Sequence, residues 1–290
     1  DRTCINFDFS VSYFIWNFGY YYLLMIDDFG YKKSLGQNFL IDDNLVSKIA
    51  NCIEYKDNNM VIEIGPGSGN LTKKILEKTD FALLYEVDCR LKGILRKELV
   101  GYNNYEIIWD DFLSRDIRAD LVKYNYNNVY VVANLPYYIT TPIISKFILE
   151  MSEASEIVIM VQKEMADRLS ADVGTRDYGQ LTVFINYYFE MKKMFDVGRK
   201  CFYPSPNVDS AVIKMTRRDN LDDLISFEHF ERLVKSAFQF KRKTIKNNLL
   251  KKYDLDIVNR VLEKYGFDLS TRSERIPYYV FVEMSNELLK

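Results

Sequence analysis

The chain has 290 residues, 48% of them hydrophobic and 28% charged, which is ordinary for a globular protein and long enough for one large domain plus a small one. A single histidine, His229, leaves no basis for His-based triads, zinc hydrolases or a His general base, and on its polar stretch it is expected at the surface. Four scattered cysteines (Cys4, Cys52, Cys89, Cys201) without a Cys-x-x-Cys pair argue against a disulfide framework or a zinc site and fit a reducing compartment.

The net charge of −2 is a poor signal for a nucleic-acid partner, but residues 1–31 carry four acids (Asp1, Asp8, Asp27, Asp28) against one base, Arg2. Distribution therefore matters more than the sum. Residues 11–26, VSYFIWNFGYYYLLMI, are apolar and aromatic-rich, yet short for a membrane span and without the basic lead-in of a signal peptide. Residues 1–30 read as an extension upstream of the recognisable domain, and no stable membrane association is expected. Asp42 marks the start of a helix.

Val61-Ile62-Glu63-Ile64 reads as a buried strand, followed by Gly65-Pro66-Gly67-Ser68-Gly69 and the helix-like run 70–76. Strand, glycine turn and helix open a doubly wound α/β fold. The glycines let the backbone pass close beneath a ligand. The pattern E-x-G-x-G-x-G is neither the dinucleotide fingerprint nor a P-loop, since no Lys-Ser/Thr follows, so a ligand without phosphates, such as S-adenosylmethionine, fits better. The next strand, 81–85, ends at Glu86, where a carboxylate is placed to hold both ribose hydroxyls of a nucleoside. Asp88 reads as support for the loop or a cap on the next helix. A third strand, 105–109, ends in Asp110-Asp111, and one of these acids, Asp111 by preference, is placed to accept from the amino group of the cofactor's adenine.

The strand-like run Val129-Tyr130-Val131-Val132-Ala133 leads into Asn134-Leu135-Pro136-Tyr137. Open α/β sheets hold ligands at the carboxyl ends of their strands. The Asn134 side-chain oxygen and the Leu135 carbonyl suit the two hydrogens of an exocyclic amino group, and the Tyr137 ring suits stacking on the flat base. Together they point to methylation of a nucleobase amino group, N6 of adenine. Phe202, ahead of two prolines, is a candidate for the second face of the target base. After the strand-like residues 211–215, Thr216-Arg217-Arg218-Asp219-Asn220 reads as a linker. Helical periodicity follows over 227–238, 245–252 and 257–265, with Gly266 as a cap. Within it, residues 235–252 carry seven basic side chains and no acid, densest at Lys241-Arg242-Lys243 with Lys246. Unaided, such a run reads first as a solvated face and second as a phosphate contact.

The segments Lys33-Ser34-Leu35-Gly36-Gln37-Asn38-Phe39-Leu40, Glu63 to Gly69, Asn134 to Tyr137 and Phe202-Tyr203-Pro204-Ser205-Pro206-Asn207-Val208-Asp209-Ser210, in this order, resemble the ribosomal RNA adenine N6,N6-dimethyltransferases. Within that family the likeness is to the bacterial small-subunit (16S) type linked to kasugamycin sensitivity, and it runs from about Tyr31 to the C-terminus. The resemblance implies a Rossmann-like S-adenosylmethionine-dependent methyltransferase domain over 31–216 and a small helical RNA-contacting domain over 217–290. It implies that Gln37, Asn38 and Leu40 contact S-adenosylmethionine, that Gly65 and Gly67 underlie it, that Glu86 holds its ribose and Asp111 its adenine, and that Asn134 lies between cofactor and target. A similar basic stretch in the small-subunit enzymes favours RNA contact by Lys241, Arg242, Lys243 and Lys246.

The chemistry expected is direct displacement, in which N6 attacks the sulfonium methyl in line with the departing sulfur. Positioning and electrostatics carry such a step. No high-pKa base is needed, because the nitrogen loses its proton after becoming cationic. The expected partners are the small ribosomal subunit and its rRNA, with no metal, a monomeric state and a cytoplasmic setting, or an organellar one if residues 1–30 are a targeting remnant. Rival readings are a large-subunit rRNA adenine methyltransferase conferring macrolide resistance and a non-catalytic ribosome assembly factor. Tyr138-Ile139-Thr140-Thr141-Pro142 and residues 241–246 favour the small-subunit type, and intact Glu86, Asp111 and Asn134 argue against loss of catalysis.

Overall fold

The computed structural model describes residues 38–151 and 154–290, so the expectations for residues 1–30 and for Gln37 lie outside the described residues. The described chain opens with β1 (Phe39–Leu40) and α1 (Asp43–Ala50). Helix α1 starts where the sequence marks it, because the Asp42 carboxylate accepts from the Leu45 N–H at 3.0 Å and satisfies one of the free first-turn donors. Strands and helices then alternate through β2 (Asn59–Ile64), α2 (Asn70–Leu76), β3 (Phe81–Tyr85), α3 (Lys92–Glu98), β4 (Tyr105–Ile108), α4 (Ile117–Leu121), β5 (Asn128–Asn134), α5 (Thr140–Glu150) and β6 (Glu156–Gln162). Two helices, α6 (Lys163–Leu169) and α7 (Gln180–Tyr188), precede β7 (Phe189–Val197), β8 (Phe202–Tyr203) and β9 (Ser210–Arg217). The chain finishes in α8 (Phe227–Ala237), α9 (Ile245–Leu249), α10 (Leu255–Lys264) and α11 (Tyr278–Glu287).

Seven strands form one sheet in the order β4-β3-β2-β5-β6-β9-β7. The first five are parallel, whereas β9 runs antiparallel to β6 and β7 antiparallel to β9. Side chains alternate between two apolar layers, as the period of a strand requires. Ile62, Leu83 and Val131 enter one layer and Val61, Leu84 and Val132 the other. The second layer is closed by α1, α2 and α3 through residues such as Ile49, Ile75 and Leu95. The first continues through Tyr187 of α7 into Phe230 of α8 and Phe281 of α11, so the C-terminal helices share a core with the sheet.

Three expectations are corrected here. Thr216 and Arg217 are not linker: they extend β9, because Thr216 pairs with both Glu156 and Glu190 and Arg217 with Phe189. The helix expected over 245–252 ends at Leu249, and Lys251 has a φ of 68° that no helix tolerates. His229 is half-buried rather than at the surface, its Nδ1 sharing a 2.9 Å hydrogen bond with the buried Ser285 hydroxyl of α11.

The antiparallel addition carries a buried ion pair. Lys214 of β9 lies 2.7 Å from Glu156 of β6 and donates to the Cys52 carbonyl at 2.9 Å, while Glu156 accepts from the Glu54 N–H at 3.0 Å. The pair thus ties the loop after α1 to the base of the sheet. Removing one buried partner strands the other charge. Lys214→Met is expected to lower the unfolding free energy by about 3 kcal/mol. Urea titration checks this, and a midpoint equal to that of the native chain would show that Glu156 is already adequately solvated.

Candidate active site

The order β3-β2-β5 places a topological switch at β2, since the chain crosses to one side for β3 and to the other for β5. A crevice opens there beyond the carboxyl ends of the strands. It is lined by Asn38, Leu40, Glu63, Gly65, Gly67, Glu86, Asp110, Asp111, Asn134, Leu135 and Tyr137, so nine of the residues singled out in the sequence converge in one cleft.

The floor of the cleft is the turn between β2 and α2. Gly65 and Gly67 have φ of 69° and 58°, in the left-handed region. A Cβ on Gly67 would sit 3.2 Å from the Phe39 ring, whereas one on Gly65 would meet no protein atom within 4 Å. Gly67 therefore lets β1 close over the turn, and Gly65 leaves its cleft side bare. The Asn70 side chain, at the start of α2, donates to the Leu40 carbonyl at 2.8 Å and fixes β1 against the same turn.

Glu86 is only 4% exposed. Its Oε2 accepts from the Gly67 N–H at 3.1 Å and its Oε1 from the Asp88 N–H at 2.8 Å, so one carboxylate joins the turn after β2 to the end of β3. Burial pushes its pKa up against these backbone bonds, which pull it down. A carboxylate has about four acceptor positions, so two main-chain donors leave capacity for hydroxyl donors from a ligand. Asp88 accepts from the Arg90 guanidinium and main chain, as expected of a loop support. At the end of β4 the Asp111 carboxylate caps a short 3₁₀ turn by accepting from the Leu113 N–H at 2.9 Å, and Asp110 accepts from the Asp111 N–H at 2.8 Å. Both acids line the cleft.

Asn134 is the last residue of β5. Its Nδ2 donates to the Asn38 carbonyl at 3.1 Å, which turns the amide so that Oδ1 is left as the acceptor for a partner. The Leu135 N–H donates to the Met160 carbonyl at 3.2 Å and holds the turn against β6. The half-buried Tyr137 is anchored at its far end, its hydroxyl 2.8 Å from the buried Ser210 hydroxyl at the start of β9. Burial raises the Tyr137 pKa, so the phenol stays neutral.

Phe202 is the exception. It does not line the cleft: it is 3% exposed in the layer with Phe39 and Leu40, because β8 pairs antiparallel with β1 and brings Phe202 opposite Leu40. In this conformation it packs core and offers no second face to a base. Lys241, Arg242, Lys243 and Lys246 are exposed on the C-terminal helical region, and none of them lines the cleft.

Glu63 was missed as a site residue, although it stands in the E-x-G-x-G-x-G pattern. It is 1% exposed, lines the cleft, and has no hydrogen-bond partner at Oε2. Burial pushes its pKa up to about 8, with Thr72 opposing and Glu86 adding to the rise. The signal was a charged residue in a buried strand two positions before the first glycine, masked because a strand interior usually holds apolar side chains.

Among the described residues no cluster of His, Cys, Asp or Glu could hold a metal ion, the described cysteines are free, and no helix is long and apolar enough to cross a membrane. The fold and the cleft define a Rossmann-like, S-adenosylmethionine-dependent methyltransferase with C-terminal helices. The sequence profile of the ribosomal RNA adenine dimethylase family matches residues 29–290, and the chain belongs to that family. It is 41% identical over 269 residues to the ribosomal RNA small subunit methyltransferase A of Geobacillus thermodenitrificans, covering 90% of this chain and 92% of that protein. Its identity to the protein of the same name from Staphylococcus haemolyticus is 39% over 274 residues, covering 91% and 92%. Among solved structures it superposes on a dimethyladenosine transferase from Plasmodium falciparum with a TM-score of 0.71 and 26% identity, covering 85% of this chain and 95% of that one. The 23S rRNA methyltransferase ErmE superposes with a TM-score of 0.70 and 27% identity, covering 87% and 100%.

A carboxyl group whose pKa is raised by folding gives stability that is complete below its unfolded value and lost as pH rises through the folded one. For Glu63 the window runs from about 4.5 to about 8. Glu63→Gln cannot ionise, so its melting temperature is expected to fall less steeply than that of the native chain across this window. Parallel melting curves through the window would show that Glu63 does not titrate there.

Proposed function

We propose that this chain transfers methyl groups from S-adenosylmethionine to N6 of two adjacent adenosines near the 3′ end of small-subunit (16S) rRNA, giving N6,N6-dimethyladenosine during small-subunit biogenesis. The observation that carries the reading is the Asn134 amide, held by the Asn38 carbonyl at the mouth of the same cleft that contains the Gly65–Gly67 turn and Glu86. The substrate follows from the likeness to small subunit methyltransferase A proteins at about 40% identity along nine-tenths of the chain.

The cleft fits the cofactor. The bare cleft side of Gly65 admits close approach, Glu86 keeps acceptor capacity for ribose hydroxyls, and Asp111 or its neighbour Asp110 offers an acceptor for an adenine amino group. Asn38, Leu40 and Gly67 complete the wall on the turn side, and by the resemblance Gln37, next to Asn38 in sequence, also contacts the cofactor. When bound, S-adenosylmethionine supplies a methyl group on a sulfonium leaving group.

The chain's own residues prepare the acceptor. Asn134 Oδ1 and the Leu135 carbonyl each accept one hydrogen of the target amino group. Acceptors that draw the two hydrogens out of the ring plane favour a pyramidal nitrogen, whose lone pair is then directed across the cleft. These are fixed dipoles that need no rearrangement during transfer. Tyr137 stacks on the base with its ring braced by Ser210. The proton departs from a cationic nitrogen to solvent, so no histidine is required. A target adenine reaches this site unstacked from its neighbours.

The methyltransferase unit, expected over 31–216, takes in Arg217 as the last residue of β9, and the helices after it form the RNA-contacting unit, in which Lys241, Arg242, Lys243 and Lys246 meet phosphates and position the folded rRNA without reading its sequence. The chain acts as a monomer, without a metal, on the small ribosomal subunit in the cytoplasm.

The test is tritium transfer from labelled S-adenosylmethionine to small subunits lacking the modification, beside naked large-subunit rRNA. Label in dimethyladenosine of the small-subunit RNA is expected, and Asn134→Ala should reduce the rate by roughly a hundredfold or more. Label only in the large-subunit RNA would replace this reading with that of a large-subunit enzyme. Binding without transfer would make the chain an assembly factor.

A further inference from the structure

Between α8 and α9 the chain holds an aromatic side chain in an unusual setting. Phe238 turns inward, its ring 6.4 Å from Tyr178 and 5.8 Å from Phe281. Phe240, two residues on, is 56% exposed. Its backbone is not free to swing. The buried Asn248 side chain accepts from the Phe240 N–H at 3.1 Å and donates to the Phe240 carbonyl at 3.3 Å, and its remaining donor contact reaches the Ala237 carbonyl at 2.7 Å. The Lys243 N–H closes the loop onto the same Phe240 carbonyl at 2.9 Å. Both main-chain polar groups of Phe240 are therefore pinned from below, and the ring is directed into solvent.

The surroundings of this ring are cationic. Lys241, Arg242, Lys243, Lys246 and Lys251 are all exposed, and among the described residues none of their side chains is paired with a carboxylate. Several cations elsewhere on the helical region do find partners, Lys235 with Glu231, Arg232 with Glu228 and Lys290 with Glu287, while Arg260, Arg272 and Arg275 are unpaired among the described residues but lie outside the run 235–252. Lys252 is held by the Gln239 side chain at 2.7 Å, which keeps it beside the loop. An exposed ring on a run, residues 235–252, with seven basic side chains and no acid has the composition of a nucleic-acid stacking platform, where phosphates meet the cations and an unpaired base meets the ring.

We propose that Phe240 is a second base-stacking residue, remote from the methyl-transfer cleft, that receives an unpaired base of the rRNA while the cations around it hold the flanking phosphates. This rests on the reading of the chain as an rRNA methyltransferase and extends it: the helical region takes a looped or bulged RNA segment rather than a uniform duplex. Stacking and phosphate contact leave different signatures. Loss of a phosphate contact lowers the salt dependence of binding, whereas loss of a stacked base weakens binding equally at every salt concentration.

The experiment measures binding of the full chain to unmodified small ribosomal subunits across a salt series, for the native protein, Phe240→Leu, Phe240→Trp and Lys243→Ala. Phe240→Leu keeps apolar bulk and removes the π face. It is expected to bind roughly tenfold more weakly with an unchanged slope of log affinity against log salt, and Phe240→Trp should restore binding. Lys243→Ala should lower the slope instead. Native-like binding by Phe240→Leu, with a native melting curve, would overturn the proposal, as would weakening that disappears at high salt. The same series on naked large-subunit rRNA separates the two readings. If the native chain prefers that RNA, the small-subunit assignment fails, and the Phe240→Leu effect measured there still decides the role of the ring.

Discussion

Everything that the site requires depends on β2 being hydrogen-bonded to β3 on one side and β5 on the other, with all three strands parallel. Ile64 lies opposite both Tyr85 and Ala133, so the three strands end at one level. The glycine turn, Glu86 and Asn134 all follow directly from those ends. A shift of one residue in either register would move an entire apolar set to the wrong layer, so the two cores hold the register and the register holds the site. The Glu86 bond to the Gly67 N–H then locks two of these strand ends to each other.

A second constraint acts from outside the parallel sheet. The short pairing of β1 with β8 brings residues 39–40 against residues 202–203, and Ile41 adds a bond from its N–H to the Cys201 carbonyl at 3.0 Å. This places Asn38 where its carbonyl can orient the Asn134 amide, while Ser210, at the start of β9, braces Tyr137. The residues that face the target base are thus held by segments from three distant parts of the chain. Such support narrows the orientations of the amide and the ring, which a site depending on positioning needs.

The electrostatics of the cleft fit its task. Glu63 and Glu86 are both buried, and burial raises the pKa of each, but Glu86 is compensated by main-chain donors and Glu63 Oε2 is not. Burial therefore favours the neutral form of the uncompensated Glu63, while Glu86 keeps its main-chain donors. The helical region holds its charge differently, with cations left unneutralised around an outward-facing ring.

Sequence alone determined the alternation of β2, α2, β3 and β5, because buried parallel strands are short apolar runs and the turn after β2 needs glycines with positive φ. It also located Glu86, Asp111 and Asn134, since polar residues directly after such runs have only the crevice to face. It left out β6, α6, α7 and β7 and misplaced the end of β9, whose antiparallel pairing with β6 and β7 depends on partner strands that no local pattern names. Tertiary structure alone decided that Phe202 belongs to the core, that Glu63 faces the cleft, and that Asn38 meets Asn134. Those facts are set by contacts distant in sequence, 96 positions for Asn38 with Asn134 and more for Leu40 with Phe202. The inward or outward sense of a single side chain in a two-residue strand or a loop has no period to betray it.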